Sequence, residues 1–150
     1  METLVVFLVL MGVGYTAGTF AEKRHYRSIR AREQELLRLP AVTTRTSHYT
    51  DAQIESAELV LGSAVISVDF FKQFVAALRK IFGGTVRSYE TLLDRARREA
   101  VLRMKEVAGD AVVIVNVRIE SAPIGKKARR GKVSCVEAVA YGTALWLKPQ

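Results

Sequence analysis

The hydrophobic pattern of this chain changes character several times, and each change marks an element. From Thr3 to Ala21 there are nineteen consecutive uncharged residues, bounded by Glu2 and Glu22. A helix of that length rises about 29 Å, the thickness of a bilayer's hydrocarbon core. It lacks the polar face that a helix on a soluble core keeps. Residues 1–21 are therefore expected to be a transmembrane anchor. A secretory leader is the alternative: Thr19-Phe20-Ala21 resembles a cleavage triplet, but Met1-Glu2 places a carboxylate where a leader carries cations. Residues 22–40 read as a basic juxtamembrane helix with Ile29, Leu36, Leu37 and Leu39 as apolar positions, stopped by Pro40. Residues 41–56 carry Thr43, Thr44, Thr46, Ser47, Thr50 and Ser56 without apolar period, and read as a linker.

The folded unit is expected over 57–150. Leu59–Ser67 is apolar and β-branched, with Gly62 as a bulge or close-approach point. Asp69 caps a helix whose positions Phe70, Phe74, Ala77, Leu78 and Ile81 keep helical spacing, and Gly83-Gly84 ends it. Ser88 caps a second helix with a stripe of Tyr89, Leu92, Leu93, Ala96, Ala100, Met104 and Val107. Its other face carries Arg95, Arg98, Glu99, Arg103 and Glu106, with Asp94–Arg98 and Glu99–Arg103 as i,i+4 pairs. Gly109 terminates this helix. Ala111–Glu120 alternates as a strand, and Val133–Leu147 forms the last strand of an antiparallel hairpin. The fold class is α+β, in the order β-α-α-β-β with an antiparallel sheet, preceded by one transmembrane helix. Two helices cover one face of such a sheet, so a second copy is expected to cover the remainder. The small residues Ala138, Ala140, Gly142 and Ala144 are the expected subunit interface.

Charge adds a location. The net charge is +8, and Lys23, Arg24, Arg27, Arg30 and Arg32 follow the apolar span directly. The positive-inside rule puts that side in the cytoplasm of a bacterial inner membrane, with the amino terminus outside. These five cations, with Lys126, Lys127, Arg129, Arg130 and Lys132 of the last hairpin, are expected contacts for anionic lipid or for another membrane or cytoplasmic protein. The basic hairpin lacks interleaved aromatic residues and any helix-turn-helix or RNA-binding signature, which weighs against nucleic acid. Gly14-x-x-x-Gly18 fits close helix packing in the membrane.

Chemistry is sparse. Cys135 is the single cysteine and the two histidines, His25 and His48, precede the folded unit, so no metal-ligand spacing arises and both histidines read as exposed. There is no nucleophile–base pair and no phosphate loop. Tyr89, Glu90 and Arg97, at one end of the second helix, are the candidate polar ligand site. No catalytic residue, metal ligand or cofactor is assigned.

Gly83-Gly84, Tyr89-Glu90, Leu93, Ala96-Arg97 and Ala100, then Asp110-Ala111-Val112-Val113 and Gly142-Thr143-Ala144, together resemble the YbjQ-like family of small bacterial proteins, to which heavy-metal binding is ascribed. Thr85 stands where that family has a basic residue. The resemblance implies a dodecin-subunit-like fold assembled as a ring, usually a pentamer. The expectation is a non-enzymatic, membrane-anchored homo-oligomer facing the cytoplasm and acting as an assembly or binding module. The alternative is a membrane-tethered metal or small-ligand binding protein.

Overall fold

The computed structural model describes residues 2–67, 88–124 and 135–149. In chain order its elements are α1 (Glu2–Glu35) with a 3-10 turn (Leu36–Arg38), β1 (Ile54–Ser67), α2 (Ser88–Ala108), β2 (Val113–Ile124) and β3 (Cys135–Leu147). The expected helix over Phe70–Ile81, the Gly83-Gly84 stop, and the cations from Lys126 to Lys132 lie outside the described residues.

The three strands form one open antiparallel sheet in the order β1-β3-β2. Central β3 pairs with β1 along its length and with β2 on the other side, so the expected hairpin is present and the fold is α+β. β1 begins at Ile54, not at Leu59, because its polar first residues still find partners on the end of β3, Ser56 opposite Trp146.

α2 lies across one face of the sheet. Toward the sheet it buries Leu92, Ala96, Ala100, Met104 and Ala108, an i+4 row that forms a single ridge on the helix. Val107, expected in this stripe, is 63% exposed because the ridge drifts past it to Ala108. Beneath the ridge, β1 contributes Val60 and Ala64, and β3 contributes Val136, Ala138, Ala140 and Ala144. The approach is closest at Gly62, where a Cβ would overlap main-chain atoms of Ala100 and Met104. Gly109 ends the helix with φ +57°, as expected of a C′ glycine.

This packing corrects the expected subunit interface. Ala138, Ala140 and Ala144 are fully buried within one chain, in the cluster that includes Ala96, Ala100 and Met104. Gly142 is buried too, and a Cβ there would come 2.8 Å from Ile114 Cγ2. The small residues are needed for α2 and β2 to approach, so they are not available to another copy.

The opposite face is divided. At one end Val113, Val115 and Leu145 form a second cluster with Tyr49 and Ile54. Farther along, Leu59 (73%), Leu61 (51%) and Val65 (57%) are exposed. The stretch read as a linker is docked at its start. Ile114 N donates to Pro40 O (2.9 Å), Val42 N to Ile114 O (2.9 Å), Val117 N to Val42 O (3.0 Å) and Asn116 N to Thr44 O (2.7 Å). An edge strand offers a row of free backbone groups, and residues 40–44 satisfy those at the start of β2, from Ile114 to Val117. At the centre of this ladder β2 bulges between Val115 and Arg118, with Asn116 at φ 53°.

The close approach at Gly62 makes a prediction. Gly62→Ala should lower stability by about 1–3 kcal/mol, because main chain rather than a mobile side-chain tip must shift. Gly12→Ala, with nothing within 4 Å of the added methyl, should leave stability unchanged or slightly raised. Thermal unfolding of the two variants in detergent tests the contrast.

Candidate functional site

α1 continues without a break from its apolar half into its basic half. The second half does not stand free: it lies against the outer face of α2. Glu22, His25, Tyr26, Ile29, Arg32 and Glu33 recur at helical spacing and form the contact stripe, within which Ile29 is fully buried. Tyr26 Oη donates to Thr91 O at 3.3 Å, and the Arg95 guanidinium sits 5.3 Å from the Tyr26 ring centroid. Arg98 donates to both Glu33 carboxylate oxygens, at 2.7 and 2.6 Å, a bidentate pair. Lys105 Nζ donates to Leu36 O at 3.2 Å. The contacts advance together along both helices, so α1 and α2 point the same way.

At the centre of this seam is Glu99, the one buried charged side chain among the described residues, 4% exposed. Arg32 donates to its Oε2, and Arg103 Nε donates to Oε1 at 3.0 Å. Arg32 also reaches Glu106 at 3.1 Å. Burial pushes the Glu99 carboxyl up, but the two arginine hydrogen bonds and their charges outweigh it and hold it below the usual carboxylate range. The Arg98 hydrogen bonds likewise hold Glu33 low. His25 corrects the expectation of an exposed histidine: its Nε2 lies 3.9 Å from Glu99, and its buried Nδ1 has no partner. Burial, and then the Arg95 charge, push its pKa below the ordinary value, with Glu99 opposing. The other expected histidine, His48, is exposed.

The expected contact residues therefore divide. Arg32 belongs to the seam and is not free for lipid. Lys23, Arg24, Arg27 and Arg30 are exposed. Of the candidate polar site, Glu90 is exposed in the first turn of α2, while Arg97 donates to Ser121 Oγ at 3.2 Å. The Tyr89 side chain lies outside the described residues. The i,i+4 pairs Asp94–Arg98 (3.6 Å) and Glu99–Arg103 (3.0 Å) are both formed.

Residues that the sequence reading did not single out line an open groove of about 540 Å³ on the sheet face away from α2. Its walls are Arg45, Thr46, Tyr49, Asp51 and Asn116, over a floor that includes Val115 and Leu145. Asn116 Oδ1 is buried here without a partner. The signal was an asparagine inside an otherwise apolar β-branched strand, a residue type that, glycine aside, is among those that most readily take positive φ.

Comparison with known proteins shows what the chain is similar to. A family model described as "Putative heavy-metal-binding", YbjQ-like in name, matches residues 41–148. A UPF0145 protein of Clostridium novyi is 29% identical over 106 residues, covering 69% of this chain and 96% of that protein. One from Hahella chejuensis is 38% identical over 89 residues, covering 58% and 79% respectively. A crystal structure of a protein of unknown function from the DUF74 family of Pediococcus pentosaceus superposes with a TM-score of 0.39 at 13% identity, covering 73% of this chain and 98% of that one. Among the described residues no three His, Cys, Asp or Glu side chains come together to hold a metal ion. Cys135 Sγ lies 3.4 Å from Ile124 O, and His25 is ringed by arginines whose charge repels a cation. The described donors do not fit a heavy metal.

The seam carries a pH dependence whose sign is fixed. His25 binds a proton less readily folded than unfolded, so its contribution is complete above about pH 6.5 and is lost as pH falls from there through its lowered pKa. Glu33 and Glu99, also held low, lose theirs at more acid pH. The thermal midpoint in detergent should fall between pH 7 and 5.5, and His25→Gln should flatten that part of the profile. Glu99→Ala, which removes the shared acceptor but leaves Arg32 its Glu106 partner and Arg103 its bond to Ser63 O, should cost about 1.5–3 kcal/mol at pH 7.

Proposed function

This chain belongs to the YbjQ-like family, and within it we propose a non-enzymatic, membrane-anchored homo-oligomeric module whose folded domain faces the cytoplasm. The observation that carries the proposal is α1 itself. Its first half is exposed all round, with Leu4, Val5, Val6, Phe7, Leu8, Val9 and Leu10 each more than half accessible. That surface calls for lipid, not water. Two of its hydroxyls are satisfied within the helix: Thr16 donates to Gly12 O and Val13 O at 3.0 Å, and Thr19 to Tyr15 O at 2.8 Å. A bilayer demands this of any backbone or side-chain polar group it surrounds. The free cations Lys23, Arg24, Arg27 and Arg30 favour a cytoplasmic domain on the positive-inside rule.

Self-association rests on the sheet face away from α2, where Leu59, Leu61 and Val65 stand exposed beside one another on β1. A ring is the assembly that the family resemblance favours, with five copies the number. A second reading, a small-ligand binding protein, draws on the Asn116 groove, where a buried acceptor without a partner and the opposite charges of Arg45 and Asp51 share one cleft.

Native mass spectrometry of the detergent-solubilised full chain tests both. The expected result is a single oligomer, five copies on the family reading, reduced to smaller species by Leu61→Asp. A monomer in the unmodified chain would overturn the assembly reading. A bound small molecule lost on Asn116→Ala would promote the ligand reading. For topology, a reporter fused after Gln150 should be active only in the cytoplasm.

A further inference from the structure

The stretch from Thr44 to Ile54 is a strap across one end of the sheet, and it is tied down at both ends. At its start Asn116 N donates to Thr44 O at 2.7 Å; at its end Lys148 N donates to Gln53 O at 3.0 Å and Lys148 Nζ to Ala52 O at 2.9 Å. Between these ties the strap bonds to itself. Tyr49 N donates to Ser47 Oγ at 3.3 Å, and Thr50 N to Gln53 Oε1 at 2.9 Å. Tyr49 also packs on the cluster of Val113, Val115 and Leu145. The wall that the strap forms is therefore set before any ligand arrives, which lowers the ordering cost of binding.

The groove between strap and sheet holds about 540 Å³, within the range of about 300–1,000 Å³ typical of small-molecule sites. It lies at the end of the sheet remote from Ser67, Ile124 and Cys135. Eight residues of β3, about 26 Å at roughly 3.3 Å each, separate Cys135 from Thr143 on the groove wall. Its whole lining falls among the described residues.

Three polar groups mark this groove. Asn116 Oδ1 is buried and accepts no hydrogen bond. The bulge that holds Asn116 at φ 53° also fixes where that oxygen lies. A buried acceptor left unpaired is costly, and an N–H from outside the chain would relieve it. On the strap, Arg45 and Asp51 bring opposite charges to the groove, both exposed and, among the described residues, without an ion-pair partner. Beneath them Val115 and Leu145 give an apolar floor. Asp51 is the single carboxylate in the lining, which has neither histidine nor cysteine, so the site suits an organic ligand rather than a soft metal.

We propose that this groove binds a short apolar peptide with both ends free. Its carboxylate meets the Arg45 guanidinium, whose fork matches that geometry. Its ammonium meets Asp51, an internal amide N–H donates to Asn116 Oδ1, and its side chains rest on Val115 and Leu145. The inference rests on the reading of this groove as a ligand site, and adds the class of ligand.

The full chain in detergent is titrated calorimetrically with alanyl-leucyl-alanine. Saturable binding is expected. Acetylating the amino end or amidating the carboxyl end should weaken it about three- to tenfold, since both charges meet exposed partners. Asn116→Gly should weaken it about tenfold, because the amide loses its buried acceptor. Glycine takes positive φ freely, so this variant keeps the bulge. In Arg45→Gln, amidation of the peptide should have no further effect. Binding that is lost in Asn116→Gly but equal for free and doubly capped peptides overturns the free-ended class and leaves the groove a ligand site. Binding untouched by Asn116→Gly overturns the site. Absence of saturable binding overturns the peptide proposal; if native mass spectrometry also finds no bound species that depends on Asn116, the ligand reading falls with it.

Discussion

A carboxylate that cannot leave the interior organises this molecule. Glu99 is almost without solvent, and a lone buried carboxylate would be strongly destabilising. It is tolerated because two guanidinium groups meet it from different directions: Arg103 from the next turn of the same helix, Arg32 from α1. The consequence reaches beyond one ion pair. As long as Glu99 is ionised, α1 must lie where Arg32 can reach it, and Glu33–Arg98 and Tyr26–Thr91 fix the rotation of α1 about its own axis. A buried pair of this kind specifies geometry more surely than it adds net stability, since desolvation consumes much of the attraction. The seam is better understood as a register lock than as a source of folding energy.

The second constraint is distance. Gly62, Ala100 and Ala140 let α2 sit on the sheet more closely than ordinary side chains allow, and Gly142 does the same for the bulged part of β2. Small residues used this way inside the chain leave association to larger ones. That shifts attention from the Ala138–Ala144 stripe to Leu59, Leu61 and Val65, where the sheet keeps its apolar surface. The fold therefore has two distinct coats: α2 and the charged half of α1 on one face, and on the other only the Tyr49–Ile54 corner among the described residues.

Much of the architecture was legible from the chain because it depends on period and punctuation. Alternation in β3, the i+4 row on α2 and the Gly109 stop are local signals that appear where the pattern placed them, whereas the alternation expected in β2 is broken by the bulge at Asn116. The seam was not legible in the same way. Arg95, Arg98, Glu99 and Glu106 at helical spacing look identical whether they face water or another charged helix, and only the tertiary fold decides. The same ambiguity hid Arg32 among five similar cations and made His25 look exposed. The docking of residues 40–44 was invisible for a different reason. Backbone hydrogen bonds to an edge strand need no particular side chains, so a Thr-rich segment carries no sign of them.

The distribution of charge along α1 ties these observations to the family. The matched region begins at residue 41, so α1 lies outside the part shared with the family model. Yet the partners of α1 lie inside it: Arg95, Arg98, Glu99 and Glu106 are all on α2. An anchor joined only through a flexible tether would leave that face of α2 solvated, with no call for a buried carboxylate. Here the face has become a socket whose charges are complementary to Glu22, Arg32 and Glu33. The matched region thus supplies the sheet, its apolar face and the charges on the outer face of α2 that receive α1. The charged half of α1 is fitted to the folded domain by the side chains of α2, independently of what surrounds the apolar run at Thr3–Ala21.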